Sequence, residues 1–192
     1  MAMQLATRSA HPLAAKPQAE AAPEPELYLT FMLGGEAYAV RILSIKEIIE
    51  YGGVTPVPLM PPTIRGVINL RGAVVPVLDL SLRFGREATV IGRRSCIVIA
   101  ETGSEGERQV IGMIVDAVNA VQEIPPAEIE PAPAFGMKIA SDFIAGIGKA
   151  AGRFAIVLDM NKVLSVAELA ALVPEGLSTA AASPSALEAP RP

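Results

Sequence analysis

The sequence predicts a mainly β protein built from two similar halves, roughly 27–85 and 95–160, each a small barrel or sandwich. Two observations carry that prediction. Short strand-like runs recur roughly every eight to twelve residues, with glycine and proline between them. The run Ile64–Leu80 also has a weaker echo at Ile144–Met160, an ungapped offset of 80 residues. Ile, Gly, Gly, Val, Leu and Asp coincide at 64/144, 66/146, 72/152, 77/157, 78/158 and 79/159. Upstream, Tyr38-Ala39-Val40 falls on Ile111-Gly112-Met113 at an offset of 73, and Pro56-Val57-Pro58 resembles Pro131-Ala132-Pro133. Chance similarity between apolar strands is the alternative.

The first strand is Leu27 to Leu33, and Gly34-Gly35 suits a hairpin turn into Tyr38–Arg41. Ile42, Ile45, Ile48 and Ile49 follow at spacings of three and four, interleaved with Lys46 and Glu47. That spacing fits a short helical turn, although β-branched residues also permit a strand. Ile42 and Ile49 are read as core, and Ile45 and Ile48 as candidates for an exposed apolar patch. In Ile64–Leu80 two apolar segments flank an Asn69-Leu70-Arg71-Gly72 corner, which raises an arginine on a tight turn between buried strands. A charge on such a scaffold suits recognition of another surface, with solubility alone as the bland reading. Pro76 has no N–H to give a ladder, so its strand should be an edge or bulged there.

The second half opens with Cys96–Ala100, turns through a Gly- and Glu-rich linker at 101–107 and returns over Gln109–Val115. Ser165-Val166-Ala167-Glu168 has capping-box spacing before Leu169–Leu172, predicting a helix over 165–172 that packs across a barrel. Residues 1–26 and 173–192 are rich in Ala and Pro without a periodic apolar face, so both are expected to be disordered tails around a domain at 27–172.

Composition narrows the function. The 192 residues carry a net charge of -4, which argues against a nucleic-acid partner needing a basic face. Aromatic residues make up 4% with no Trp, too few for a base-stacking platform. The single cysteine, Cys96, reads as a buried structural thiol in a reducing compartment. No run of about 18 apolar residues is present, so no membrane insertion is expected. Arg8, His11 and Lys16 interrupt any signal-peptide core, and a cytoplasmic protein is expected.

No catalytic constellation emerges. The only histidine, His11, lies in the N-terminal tail, so no Ser-His, Cys-His or zinc site can be assembled in the body. Asp79 and Asp159 end matching strands, where turn or capping roles outweigh paired acid–base work. Asp116 and Asp142 lack the spacing of a metal loop. Gly146-Ile147-Gly148-Lys149-Ala150-Ala151 formally fits a dinucleotide pattern, but Gly152 and the strand-like Phe154–Leu158 leave no room for its helix. The expectation is no enzyme, no cofactor and no metal. A binding role remains, and Glu47 and Arg71 can meet across one face of the first half.

Tyr38-Ala39-Val40, Ile45-Lys46-Glu47-Ile48, Ile64 to Gly72, and Val75-Pro76-Val77-Leu78-Asp79-Leu80 together resemble the CheW family of bacterial chemotaxis coupling proteins. The resemblance continues through Ile111–Val118 and Pro131-Ala132-Pro133, covering about 27–172. It implies a mainly β fold of two intertwined five-stranded SH3-like barrels with short helices. It further implies an adaptor in the cytoplasm, at membrane-associated chemoreceptor arrays. Its partners would be the cytoplasmic tip of chemoreceptors, the regulatory domain of the histidine kinase CheA, and further CheW copies in arrays. The groove between the barrels would take the receptor, at positions matching Ile45, Glu47, Ile48, Arg71 and Val118. The kinase would dock mainly on the first barrel by apolar strand edges, and the loop carrying Phe135 would make the second, ring-closing contact. Glu130 stands where some relatives have a basic residue, and Arg41 replaces an often acidic or polar one. Within the repeat, Ala150 and Ala151 stand where the first copy has Leu70 and Arg71, so the shared residues read as architecture and Arg71 as function. A coupling protein of a parallel pathway, such as surface motility or second-messenger control, fits the same residues.

Overall fold

The computed structural model describes residues 26–103, 108–133 and 139–165. Its strands are β1 (Glu26–Leu33), β2 (Glu36–Arg41), β3 (Ile45–Glu50), β4 (Ile64–Leu70), β5 (Ala73–Asp79), β6 (Cys96–Thr102), β7 (Gln109–Val115), β8 (Ala117–Ile124), β9 (Ile144–Ala150) and β10 (Arg153–Leu158). Two one-turn helices, α1 (Leu80–Arg83) and α2 (Met160–Val163), follow β5 and β10. Glu26, the last residue of the expected N-terminal tail, already belongs to β1. The rest of both tails, the helix expected over 165–172 beyond Ser165, and Phe135 lie outside the described residues.

Two five-stranded sheets result, β8-β1-β2-β10-β9 and β3-β6-β7-β5-β4. Neither coincides with a contiguous half of the chain: the halves 27–85 and 95–160 each contribute to both. Each sheet takes the first two strands of one repeat and the last three of the other. The parallel pairs β2·β10 and β5·β7 are where the halves interlock. A parallel neighbour cannot arrive through a tight hairpin, so the other half supplies it.

The repeat governs this architecture. Ala39 pairs with Val157 and, correspondingly, Gly112 with Val77, matching the offsets of 73 and 80. Isolated bridges Thr55–Val67 and Glu130–Ile147 recur at matching places. There a Cβ on Gly66 would collide with the Thr55 carbonyl, and one on Gly146 would lie 2.8 Å from the Glu130 oxygen. The matched glycines are thus imposed by a crossing backbone. Asp79 and Asp159 cap α1 and α2, accepting from the backbone N–H groups of Ser81 and Asn161 respectively.

Strand alternation sorts the apolar residues into three cores. Tyr28, Ala39, Ile124 and Val157 fill the interior of the first sheet, and Val77, Ile97, Ile99 and Ile114 that of the second. The largest core lies between the sheets and includes Leu29, Phe31, Tyr38, Leu78, Val98 and Met113. Phe31, Tyr38 and Phe84 stack through it at ring separations of 5.8 Å, and Phe143 follows at 5.9 Å. Arg83 lies 4.5 Å from the Phe143 ring centroid and donates to the Val163 carbonyl, tying α1 to α2. The Tyr38 hydroxyl donates to Glu36, which Arg86 also binds. Burial and then the Glu36 hydrogen bond push this phenol well above its ordinary range.

Several local expectations take sharper form. Ile42 falls in a 3-10 turn, but Ile45, Ile48 and Ile49 belong to β3. β5 is an inner strand, yet its ladder to β7 begins only at Val77, so at Pro76 it is a sheet edge on that side. Cys96 is half-buried against the inter-sheet core rather than enclosed. Gly146–Ala150 form part of β9 and run into a hairpin, not a helix.

Candidate functional site

The site begins with a β-bulge. Ile45 pairs with Ala100 and Glu47 with Ile99, leaving Lys46 as the extra residue of β3. Cross-strand neighbours share a face. Ile45 therefore lies on the side of Ala100, facing the inter-sheet core, and after the bulge Ile48 returns to that side opposite Val98. Glu47 and Ile49 point with Ile99 and Ile97 to the other face. The bulge explains why isoleucines three apart share a face and imitate a helical spacing.

Ile45 packs against the inter-sheet core, while Ile48 is 41% exposed. Val118 pairs with Phe31 in β1 and packs on the same core. It occupies in its repeat the place of Ile45, next to a bulge that leaves Asn119 unpaired. The structure thus brings Ile45, Ile48 and Val118 to the border of the core between the two sheets.

Arg71 sits at the tip of the β4–β5 hairpin. Arg71 and Gly72 have φ of 52° and 91°, the pair of positive angles of a type I′ turn. Asn69 Oδ1 accepts from the Gly72 N–H at 2.8 Å, which fixes the corner. The guanidinium Nη2 meets Glu47 Oε2 at 2.7 Å. β3 and β4 are the two edges of their sheet, so this ion pair bridges the seam that closes it. The Arg71 side chain remains 82% exposed against 24% for Glu47. An exposed pair contributes only about 0–1 kcal/mol; its main effect is to hold the guanidinium in place, with donors left for a further acceptor.

Glu47 and Arg71 do meet, and Ile45, Ile48 and Val118 share a core border. The residue roles came from the resemblance, not from the bare pattern. One partner set escaped the sequence reading altogether. Asp79, expected only to cap or turn, is fully buried and also binds Arg65 at 3.1 Å and Thr89. Its only sequence signal was a carboxylate at the end of an apolar run. Among the described residues, no group of three acidic, histidine or cysteine side chains could hold a metal ion, and no helix is long and apolar enough to cross a membrane.

Known proteins share the sequence pattern and the fold of this chain. The family model for the CheW-like domain matches residues 27–168. The chain is 35% identical over 151 residues to the chemotaxis protein CheW of Bacillus subtilis, covering 78% of this chain and 94% of that one. It is 34% identical to the chemotaxis protein CheW of Klebsiella aerogenes, covering 74% and 84%, and 33% identical to Protein FrzA of Myxococcus xanthus, covering 78% and 91%. Among solved structures, the scaffolding protein TtCheW from Thermoanaerobacter tengcongensis superposes with a TM-score of 0.65 at 34% identity, covering 77% of this chain and 93% of that chain. Two intertwined five-stranded sheets, the matched fold and the matched sequence together place the chain in the CheW family.

Proposed function

We propose that this protein is a non-enzymatic cytoplasmic adaptor that couples chemoreceptors to the histidine kinase CheA at membrane-associated arrays. The observation that carries the reading is the Arg71–Glu47 pair, an oriented guanidinium on a closed hairpin tip in a CheW-family scaffold. The receptor's cytoplasmic tip meets Arg71, Glu47, Ile45, Ile48 and Val118, where the ion pair offers polar recognition and Ile48 offers apolar surface. The CheA regulatory domain docks on apolar strand edges of the half at 27–85, and the loop carrying Phe135 makes its second contact. Further CheW copies join the same arrays.

Coupling follows without chemistry: an adaptor bound to both partners transmits a receptor change to the kinase when its contacts differ between their states. Co-purification with a receptor cytoplasmic fragment and with CheA, separately and together, tests this, and binding to neither removes the reading. Arg71→Glu reverses the charge on an exposed corner and places two carboxylates together at the seam. We expect a loss of receptor binding of tenfold or more by calorimetry, with circular dichroism unchanged. Unchanged affinity takes Arg71 out of the site.

The likeness to Protein FrzA favours a second reading, coupling in a parallel chemosensory pathway for surface motility or second-messenger control. Preferential co-purification with the receptor and kinase of such a pathway decides for it.

A further inference from the structure

The repeat lets one barrel serve as a ruler for the other. At the hairpin end of the second sheet, the interior is filled by Ile99, Val110, Leu70 and Val75. The equivalent positions in the first sheet carry Thr30, Ala37, Ala150 and Ala155, smaller at every one. The second sheet also carries the Glu47–Arg71 bridge across its seam, where the matching positions in the first are Ala120 and Ala151. Large-to-small replacement of this kind leaves space unless neighbours collapse into it. Ala150 and Ala155 close on one another and on Ala37 as part of the core, and above them a cavity of about 680 Å³ opens at this end, lined by Met32, Ala37, Gln122, Ala150, Arg153 and Ala155 among others.

Its volume lies within the range of about 300–1,000 Å³ usual for small-ligand sites. The lining is mixed: Thr30, Glu36 and Asn119 also border it, Glu36 being already engaged by Arg86 and the Tyr38 hydroxyl, and two further polar groups bear on a ligand. Gln122 Oε1 is buried without a hydrogen-bond partner. A buried acceptor left unpaired is costly, and a ligand donor would relieve it. Arg153, exposed on the rim at the start of β10, makes no ion pair with a described residue.

We propose that this mouth is a binding site for a small aromatic carboxylate bearing an N–H donor. The ring lies against Met32, Ala37, Ala150 and Ala155, the N–H donates to Gln122 Oε1, and the carboxylate meets Arg153. This site lies on the sheet opposite to Arg71 and does not depend on the receptor reading.

The test uses the full chain and indole-3-acetate, which has all three features. Titration followed by methyl NMR should give saturable shifts confined to the Met32 and alanine methyls of the mouth. The double variant Ala150→Leu/Ala155→Val installs what the other barrel already holds, and should weaken binding tenfold or more with thermal stability kept or raised. Should that variant fail to fold, Ala37→Val, again the residue of the other barrel, takes its place with the same expectation. Arg153→Gln, or replacing the acid by 3-methylindole, should weaken binding severalfold. Absence of saturable shifts, equal binding by the filled variant, or 3-methylindole binding as well as the acid overturns the proposal. Tighter binding of a peptide ending in phenylalanine than of indole-3-acetate overturns the assignment to a free small molecule.

Discussion

Asp79, its own side chain wholly out of solvent, accepts hydrogen bonds from the backbone N–H groups of Ser81, Leu82 and Thr89, from the Thr89 hydroxyl and from Arg65. Asp159, at the matching position, caps α2 through the Asn161 N–H and lies 4.0 Å from Lys162, with its side chain 33% exposed. Equivalent residues thus carry unequal loads, and burial decides the difference. Removing the carboxylate at 79 strands several buried donors, although Arg65, partly exposed, recovers some hydration. Asp79→Ala should cost about 3 kcal/mol, whereas Asp159→Ala should cost about 1 kcal/mol, the usual loss of a cap. Urea unfolding of the two variants measures the contrast, and equal losses would refute it. The aspartates were legible as matched strand ends, but the inequality was not: Arg65 and Thr89 are separated from Asp79 by 14 and 10 residues and reach it only through the fold.

The hairpins show how far local pattern carries. The Gly34-Gly35 pair and the Asn-Leu-Arg-Gly corner marked their turns correctly, because positive φ angles leave a compositional trace. β3 was ambiguous for a physical reason, since a bulge at Lys46 shifts the period and puts Ile45 and Ile48 on one face. Arg71 and Ala151 adopt the same left-handed conformation, with φ of 52° and 47°. The strain therefore belongs to the turn, and only the Arg71 side chain distinguishes the first copy. Ala151→Gly should accordingly stabilise the protein by about 0.5–1 kcal/mol, since glycine accepts this conformation without steric cost. A raised urea midpoint at an unchanged slope is the expected readout, and a lowered one would show that the alanine methyl packs at the mouth of the barrel.

Pairing partners were the least legible feature, because a strand's composition states that it pairs but not with which neighbour. The two halves could have closed separately, and the observed exchange satisfies the same alternation while joining them through two parallel ladders and a shared core. That exchange has a thermodynamic consequence. Pulling β1 and β2 out of the first sheet also strips one wall from the inter-sheet core, so neither sheet can open while the other stays intact. Cooperativity should therefore span both sheets. Ile124 lies wholly inside the first sheet's own core, remote in packing from the second. Ile124→Val should cost about 1 kcal/mol, or roughly fivefold in the folded ratio. In native-state hydrogen exchange, the slowest amides of β2 and β10 should then speed up about fivefold, and those of β6 and β7 by the same factor. If β6 and β7 keep their wild-type protection, the sheets unfold independently and the exchange of strands does not couple them. Equal acceleration would instead make the intertwined pair one mechanical unit, so that a partner bound to either sheet draws on the stability of both.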